Sequence, residues 1–183
     1  MFAGLCNGAQ AWNKSRVPAH CDEKGQPLSQ QHIDVPMRPP SLFLGALASG
    51  CILELIMPLG PGLANGSTRA ILIGLGLAAI GIGIAWKAIV QFADAGTSIQ
   101  LDEPTDALVT DGLYSWSRNP IYIGLSVCYT GLSIALTSPL ALLLLPLVLL
   151  VLRRTVIEKE EAFLAGEFGE AYGAYRVRVP RWL

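Results

Sequence analysis

Long apolar stretches alternate with short polar breaks over residues 41–152. A helix that crosses a bilayer needs about 20 mostly apolar residues. Three of the stretches approach that length, and the fourth is a shorter return arm that follows a break at Thr137-Ser138-Pro139. The pattern predicts an all-α polytopic membrane protein with about four transmembrane helices, the last two forming a helical hairpin. The predicted spans are Ser41–Leu59, Ala70–Ile89, Ile121–Leu136 and Leu140–Leu152.

Polar segments flank this apolar region on both sides. Residues 1–40 mix polar residues with five prolines and keep no helical or strand period, which predicts a disordered arm. In Thr155–Tyr175 the acidic residues alternate with apolar residues spaced i, i+3 and i+4. This spacing predicts an amphipathic helix outside the membrane, which Gly166 and Gly169 interrupt.

Two features stand out inside the predicted spans. The pairs Gly74/Ala78 and Ala79/Gly83 place small residues four apart, which favours close helix packing. Glu54 is a carboxylate inside the first span, where a charge is either functional or paired with a structural partner.

The composition fits a membrane protein and places most of the charge on one side. Of the 183 residues, 52% are hydrophobic and 15% are charged, against about 25% charged in soluble domains. Twelve of the thirteen lysines and arginines fall on the side of the termini, and only Arg69 falls on the other. Positive charge favours the cytosolic side, so we expect both termini to be cytosolic. A net charge of −1 gives no basic field for nucleic acid, and the four cysteines show no metal-ligand spacing.

The densest polar and aromatic run between the spans is Thr105–Tyr122. Asp111-Gly112 is typical of a turn, and the Arg118–Pro120 junction precedes the third span. Asn is a favoured helix N-cap and Pro a favoured first helical residue, so a helix should start there. A helix start beside an arginine suits an anionic group of a ligand. We expect this junction to form one half of a ligand site, with Glu160 and Glu161 as the other.

Several of these residues together resemble a known family. The elements, in order, are Gly112-x-Tyr114-x-x-x-Arg118-Asn119-Pro120-x-Tyr122, a hairpin, Glu160-Glu161, and Phe168-Gly169-x-x-Tyr172-x-x-Tyr175-x-x-x-Val179-Pro180-Arg181. They resemble the isoprenylcysteine carboxyl methyltransferases, a family similar to the membrane phospholipid N-methyltransferases. The resemblance covers residues 90–183 and implies that residues 41–183 form one methyltransferase-like domain with S-adenosylmethionine as cofactor.

The resemblance also implies which residues form the site. Arg118 and Arg154 are the expected catalytic residues, because relatives hold the substrate carboxylate with a basic residue shortly before the paired glutamates. Val156 stands at that position here, with Arg153 and Arg154 nearby. The residues implied to bind the cofactor are Gln100, Asp106, Ala107, Leu108, Val109, Tyr114, Asn119, Pro120, Ile121, Tyr122, Glu160 and Glu161.

The sequence leaves the methyl acceptor open. We expect a small or lipophilic acceptor that is a carboxylate, a thiol or an amine, with the lipid bilayer as the other partner. Methyl transfer from a sulfonium is an in-line displacement that needs alignment and exclusion of water rather than a metal. Two alternatives are a membrane NADPH-dependent reductase of the sterol reductase type and a non-catalytic membrane protein on the same scaffold.

Overall fold

The computed structural model describes residues 38–59, 67–94 and 108–183, and these residues are helical with no strands. The five helices are α1 (Pro39–Ile56), α2 (Thr68–Asp94), α3 (Pro120–Ala135), α4 (Pro139–Leu152) and α5 (Glu158–Arg178). A 3-10 turn at Gly112–Ser115 precedes α3, and a π-helical turn at Arg153–Ile157 joins α4 to α5. The predicted all-α membrane fold is confirmed. Apart from residues 38–40, the predicted arm lies outside the described residues.

Length and composition allow three of these helical stretches to cross a membrane. They are Pro39–Ile56, Thr68–Asp94 and the 40-residue stretch Pro139–Arg178, in which α4 supplies the apolar part. The 16-residue helix α3 is apolar but shorter. Each of the four predicted apolar stretches is therefore a helix, and the break at Thr137–Pro139 separates α3 from α4.

The helices pack in two main pairs, α2 with α3 and α1 with α4. In the first pair, Gly74 and Gly81 of α2 lie against the α3 backbone, where a Cβ on Gly81 would stand 2.6 Å from the carbonyl oxygen of Gly124. Gly74 and Ala78 are buried as predicted, but Ala79 and Gly83 are exposed. The second predicted pair was therefore wrong, because the face of α2 that meets α3 carries Gly81 and Ala85 instead.

Glu54 is buried and connects α1 to the hairpin tip. Its carboxylate accepts hydrogen bonds from the amides of Leu59 at 2.7 Å and Leu140 at 3.2 Å, and lies 3.5 Å from the Ser138 hydroxyl. It therefore satisfies the Leu140 amide at the start of α4, which has no partner within that helix, and the Leu59 amide after the end of α1. Of the two interpretations of this residue, the structural one accounts for its contacts.

Helix α5 is divided by Gly169, which has φ 49° and ψ −120°. Gly169 adopts this left-handed φ at little cost because it has no Cβ. The kink separates the part of α5 that carries Glu160 and Glu161 from the part that carries Tyr172 and Tyr175. An interruption was predicted at this glycine.

Candidate active site

A cavity of about 310 Å³ is lined by residues from the end of α2, the start of α3 and α5. Typical small-molecule pockets measure roughly 300–1,000 Å³. Most of its walls are apolar, and the charged side chains that line it are Arg118, Glu160 and Glu161. The described lining residues are Pro39, Pro40, Ile89, Phe92, Leu108, Val109, Tyr114, Arg118, Asn119, Pro120, Ile121, Tyr122, Leu125, Glu160, Glu161, Phe163, Leu164, Tyr172 and Tyr175.

The polypeptide reaches α3 through a turn held against α2. Gly112 has φ 57°, and a Cβ there would collide with the side chain of Gln91. The Gln91 side-chain oxygen accepts a hydrogen bond from the Leu113 amide at 3.1 Å. The positive φ favours glycine at position 112, a larger residue there would also displace the Gln91 side chain, and the turn sets the approach to Arg118.

The Arg118–Pro120 junction is bound to the C-terminal tail, Val179–Leu183. The carbonyl of Arg181 accepts hydrogen bonds from the side chains of Ser117 and Asn119, both at 3.0 Å. The Arg118 amide donates to the carbonyl of Pro180 at 3.0 Å. Asn119 occupies the N-cap position of α3 as predicted, but its side chain makes no capping hydrogen bond. The capping prediction was wrong because the asparagine amide is used to hold the tail.

Arg118 and Arg181 share the carboxylate of Glu161, and these three residues form the basic pole of the cavity. Arg181 donates to both oxygens of Glu161, at 2.9 and 2.5 Å. Nη1 of Arg118 lies 3.0 Å from one of them and 3.4 Å from the Tyr172 hydroxyl. Burial raises the pKa of Glu161, but the Arg181 hydrogen bond and the charges of Arg118, Arg181 and Arg176 outweigh burial, so this pKa is lowered. Glu161 is therefore ionised, and the two arginines exceed its charge by one.

One atom of the basic pole is not satisfied by the described residues. Nε of Arg118 is buried and has no hydrogen-bond partner among them. The Arg118 side chain is only 10% exposed. Because a buried guanidinium N–H without a partner is costly, this atom marks where an acceptor oxygen would be stabilised.

Tyr122 and Glu160 form the acidic pole of the cavity. The Tyr122 hydroxyl donates to the Glu160 carboxylate at 2.8 Å, which joins α3 to α5. Burial raises the pKa of Glu160, the Tyr122 hydrogen bond lowers it, and the Glu161 charge raises it further, with a net upward shift. In contrast to Glu161, Glu160 forms no ion pair with a basic residue in the described part of the chain. In its ionised form, Glu160 can therefore pair with a cationic group of a ligand.

Three tyrosines connect the kinked half of α5 to the turn before α3. The Tyr175 hydroxyl donates to the carbonyl of Tyr114 at 2.7 Å, and the rings of Tyr172 and Tyr175 lie 6.1 Å apart. All three tyrosines are buried and line the cavity. The sequence indicated packing roles for Tyr172 and Tyr175, and they have these roles while also forming a wall of the cavity.

The structure brings together most of the residues that the resemblance implied. Arg154 is exposed and is not part of the lining. Gln100, Asp106 and Ala107 lie outside the described residues. The implied residues that line the cavity are Leu108, Val109, Tyr114, Arg118, Asn119, Pro120, Ile121, Tyr122, Glu160 and Glu161.

Sequence reasoning missed the apolar side of the cavity. Ile89 and Phe92 belong to the end of α2, and Pro39 and Pro40 to the start of α1. In the sequence such residues are indistinguishable from ordinary span ends. Phe163 and Leu164 follow the paired glutamates after Ala162, and this nearness was the available indication that they would share the cavity.

The fold is that of an integral membrane protein, and a cavity lined by three charged side chains lies at the end of α2 and the start of α3. The phospholipid methyltransferase family matches residues 69–171, which is more than half of the chain. The chain belongs to that family, and the predicted relationship to membrane methyltransferases is confirmed at the family level. No curated protein and no solved structure matches the chain. The matched segment contains both the Arg118–Pro120 junction and Glu160-Glu161, but not the C-terminal tail.

Proposed function

We propose that the protein transfers a methyl group from S-adenosylmethionine to a small or lipophilic acceptor that is a carboxylate, a thiol or an amine. The observation that carries the proposal is an apolar cavity with an acidic and a basic pole, within a chain of the phospholipid methyltransferase family. When bound, S-adenosylmethionine would supply an electrophilic methyl group on its sulfonium. The chain's own task is to align the donor and the nucleophile and to exclude water.

The two poles fit the amino-acid end of this cofactor, which carries an ammonium and a carboxylate. Glu160, hydrogen-bonded to Tyr122, suits the ammonium. Arg118 suits the carboxylate, because its Nε is buried and lacks a partner among the described residues. The start of α3 adds partial positive charge beside Arg118. The residues present therefore fit the group.

The rest of the cavity supports a lipophilic acceptor. Ile89, Phe92, Leu125 and Phe163 provide apolar walls where the helices that can cross the membrane meet the charged poles. Such walls exclude water from the reacting atoms and strengthen the electrostatic interactions inside. We propose that the acceptor's reactive group reaches the poles while its apolar part remains along these walls.

The charge pattern supports a cytosolic location for the cavity and both termini. Arg118 and Arg181 lie at the cavity. Arg176 and Arg178 lie in the last turn of α5, which also lines the cavity. Arg69 lies at the start of α2, whereas the cavity is lined from the end of that helix. A basic cavity end is the arrangement that the positive-inside rule favours for the cytosolic face.

Calorimetric titration of the purified protein with S-adenosylmethionine tests the cofactor site. We expect Arg118→Ala and Glu160→Ala each to weaken binding by about tenfold or more, because each removes a charge-assisted contact. Arg153 and Glu158 provide the matched control, since they form an ion pair at 3.0 Å that is about half exposed and not part of the cavity lining. Arg153→Ala and Glu158→Ala should leave the affinity unchanged. Equal affinities in all four variants would refute the site assignment.

A methyl-transfer screen with labelled cofactor tests the reaction. The acceptors should include prenylcysteines, small thiols, aminophospholipids and quinone-like lipids. Labelled product with one class would identify the acceptor chemistry. NADPH binding without S-adenosylmethionine binding would support the reductase alternative, and binding of neither cofactor by folded protein would support a non-catalytic role.

A further inference from the structure

The C-terminal tail lies against the cavity although it falls outside the segment matched by the family. Its backbone holds the Arg118–Pro120 junction through Pro180 and Arg181, and its Arg181 side chain reaches Glu161. Trp182 packs against the main apolar cluster and anchors the end of the tail. The tail therefore has a fixed position beside Arg118 and contributes a second positive charge there.

The contacts of Glu161 show what the second charge does. Arg181 donates hydrogen bonds to both carboxylate oxygens of Glu161, and one of these oxygens, Oε1, also pairs with Arg118. Without Arg181, Glu161 and Arg118 would form a neutral pair. With Arg181 present, Glu161 is already neutralised, and the Arg118 charge remains for another group.

The unsatisfied Nε of Arg118 is a second, independent observation at this position. It belongs to a side chain that lines the cavity and is nine-tenths buried. A guanidinium whose Nη1 contacts Glu161 and Tyr172, and whose buried Nε–H has no partner among the described residues, can donate a hydrogen bond to an additional carboxylate oxygen.

We propose that Arg181 is a positioning residue of the cofactor site: by neutralising Glu161, it keeps Arg118 available for the cofactor's carboxylate. This inference rests on the proposed function. It extends the site by a residue that does not touch the reacting atoms and acts through Arg118. It also makes the C-terminal tail a part of the binding machinery.

The test compares binding of S-adenosylhomocysteine with binding of its decarboxylated analogue, which lacks the carboxylate. Both ligands are titrated calorimetrically into wild type, Arg181→Gln, Arg181→Lys and Arg178→Gln. Wild type should prefer S-adenosylhomocysteine by about tenfold or more. Arg181→Gln should lose most of this preference while binding the decarboxylated analogue as well as wild type does. Arg181→Lys should restore part of this preference, because lysine keeps the positive charge but cannot form the bidentate hydrogen bonds to Glu161.

The controls separate positioning from folding. Arg181→Gln keeps the backbone carbonyl that holds Ser117 and Asn119, so the tail should remain in place. Arg178 is exposed at the end of α5, three residues before Arg181, and Arg178→Gln should bind both ligands as wild type does. If Arg181→Gln weakens both ligands by the same factor, the residue only supports the fold, and the inference is overturned. If Arg181→Gln keeps the wild-type preference for S-adenosylhomocysteine over the decarboxylated analogue, the inference is also overturned. This result is expected if Arg118 binds the methyl acceptor rather than the cofactor. Failure of wild type to bind either ligand would refute the proposed function itself.

Discussion

Two of the three Arg–Glu pairs described at α5, Arg153–Glu158 and Arg118–Glu161, differ in burial, and this difference separates a surface contact from a contact at the cavity. Arg153–Glu158 and Arg118–Glu161 have the same 3.0 Å separation, but their side chains are 47% and 38% exposed in the first pair and 10% and 11% in the second. An exposed pair contributes about 0–1 kcal/mol. Removing one partner of a buried pair costs about 3–5 kcal/mol, because the remaining charge stays buried. The structure therefore concentrates its electrostatic energy at the cavity.

The raised pKa of Glu160 predicts a pH dependence of cofactor binding. Only the ionised carboxylate attracts an ammonium, so the affinity for S-adenosylmethionine should increase as the pH rises through the raised pKa of Glu160. Glu161 stays ionised over this range because its pKa is lowered. Titrations from about pH 5 to about pH 8 should show this increase in wild type, and Glu160→Gln should flatten it.

Without ligand, the contribution of Glu160 to the free energy of unfolding should fall as the pH rises, whereas the affinity for the cofactor should increase. Because folding raises the pKa of Glu160, its contribution to stability is present at low pH and is lost as the pH rises through the folded value. The increase in melting temperature on adding ligand should therefore grow with pH in wild type. A binding profile that is the same in Glu160→Gln and wild type would contradict the assignment of Glu160.

At the residue scale, the sequence predicted which residues would meet but not how they would pair. The order of Arg118, Tyr122, Glu160 and Glu161 was sufficient to place them in one site through the family resemblance. Nothing in the sequence distinguishes the glutamate that pairs with Tyr122 from the adjacent glutamate that pairs with two arginines. That division depends on the side of α5 from which each side chain projects, and so on the π-helical turn before it.

At the scale of elements, the α2–α3 contact depends on small residues spaced alternately four and three apart. On α2 these are Gly74, Ala78, Gly81, Ala85 and Ala88. On α3, Gly124 and Gly131 stand opposite them. The sequence predicted close packing of α2, but a glycine-rich helix offers several pairs four apart. Only the partner helix decides which pair is buried.

Two glycines of α2 provide a direct test of this contact. A Cβ at Gly81 would lie 2.6 Å from the Gly124 carbonyl oxygen, whereas a Cβ at Gly83 would meet nothing within 4 Å. Gly81→Ala should therefore lower the free energy of unfolding by about 1–3 kcal/mol through overpacking. Gly83→Ala should leave it unchanged or raise it by up to about 1 kcal/mol, because alanine favours the helix. Thermal unfolding in detergent measures both variants, and equal shifts would exclude this packing.

At the scale of the whole molecule, distant parts of the chain meet at the cavity. The starts of α1 and α3, the end of α2 and the helix α5 all line it, and the C-terminal tail holds the Arg118–Pro120 junction. The number and order of the helices could be predicted because apolar runs and their breaks are local features. The pairing of α1 with α4 could not, because apolar helices in a membrane carry no polar face that identifies their partner.

The proposed orientation of the molecule in the membrane can be measured. Replacing the four cysteines with serine gives a background for single cysteines at exposed positions. Ser67 precedes α2 near Arg69, and Val177 is 89% exposed near the end of α5. Since the basic residues favour the cytosolic face, Val177→Cys should react with an impermeant maleimide only from the cytosolic side, and Ser67→Cys only from the opposite side. Ser115→Cys, in the turn before α3, should follow Val177→Cys because both lie at the cavity end. Labelling of Ser67→Cys and Val177→Cys from one side would rule out this orientation. Labelling of Val177→Cys from the side opposite the cytosol would rule out a cofactor site that draws S-adenosylmethionine from the cytosol.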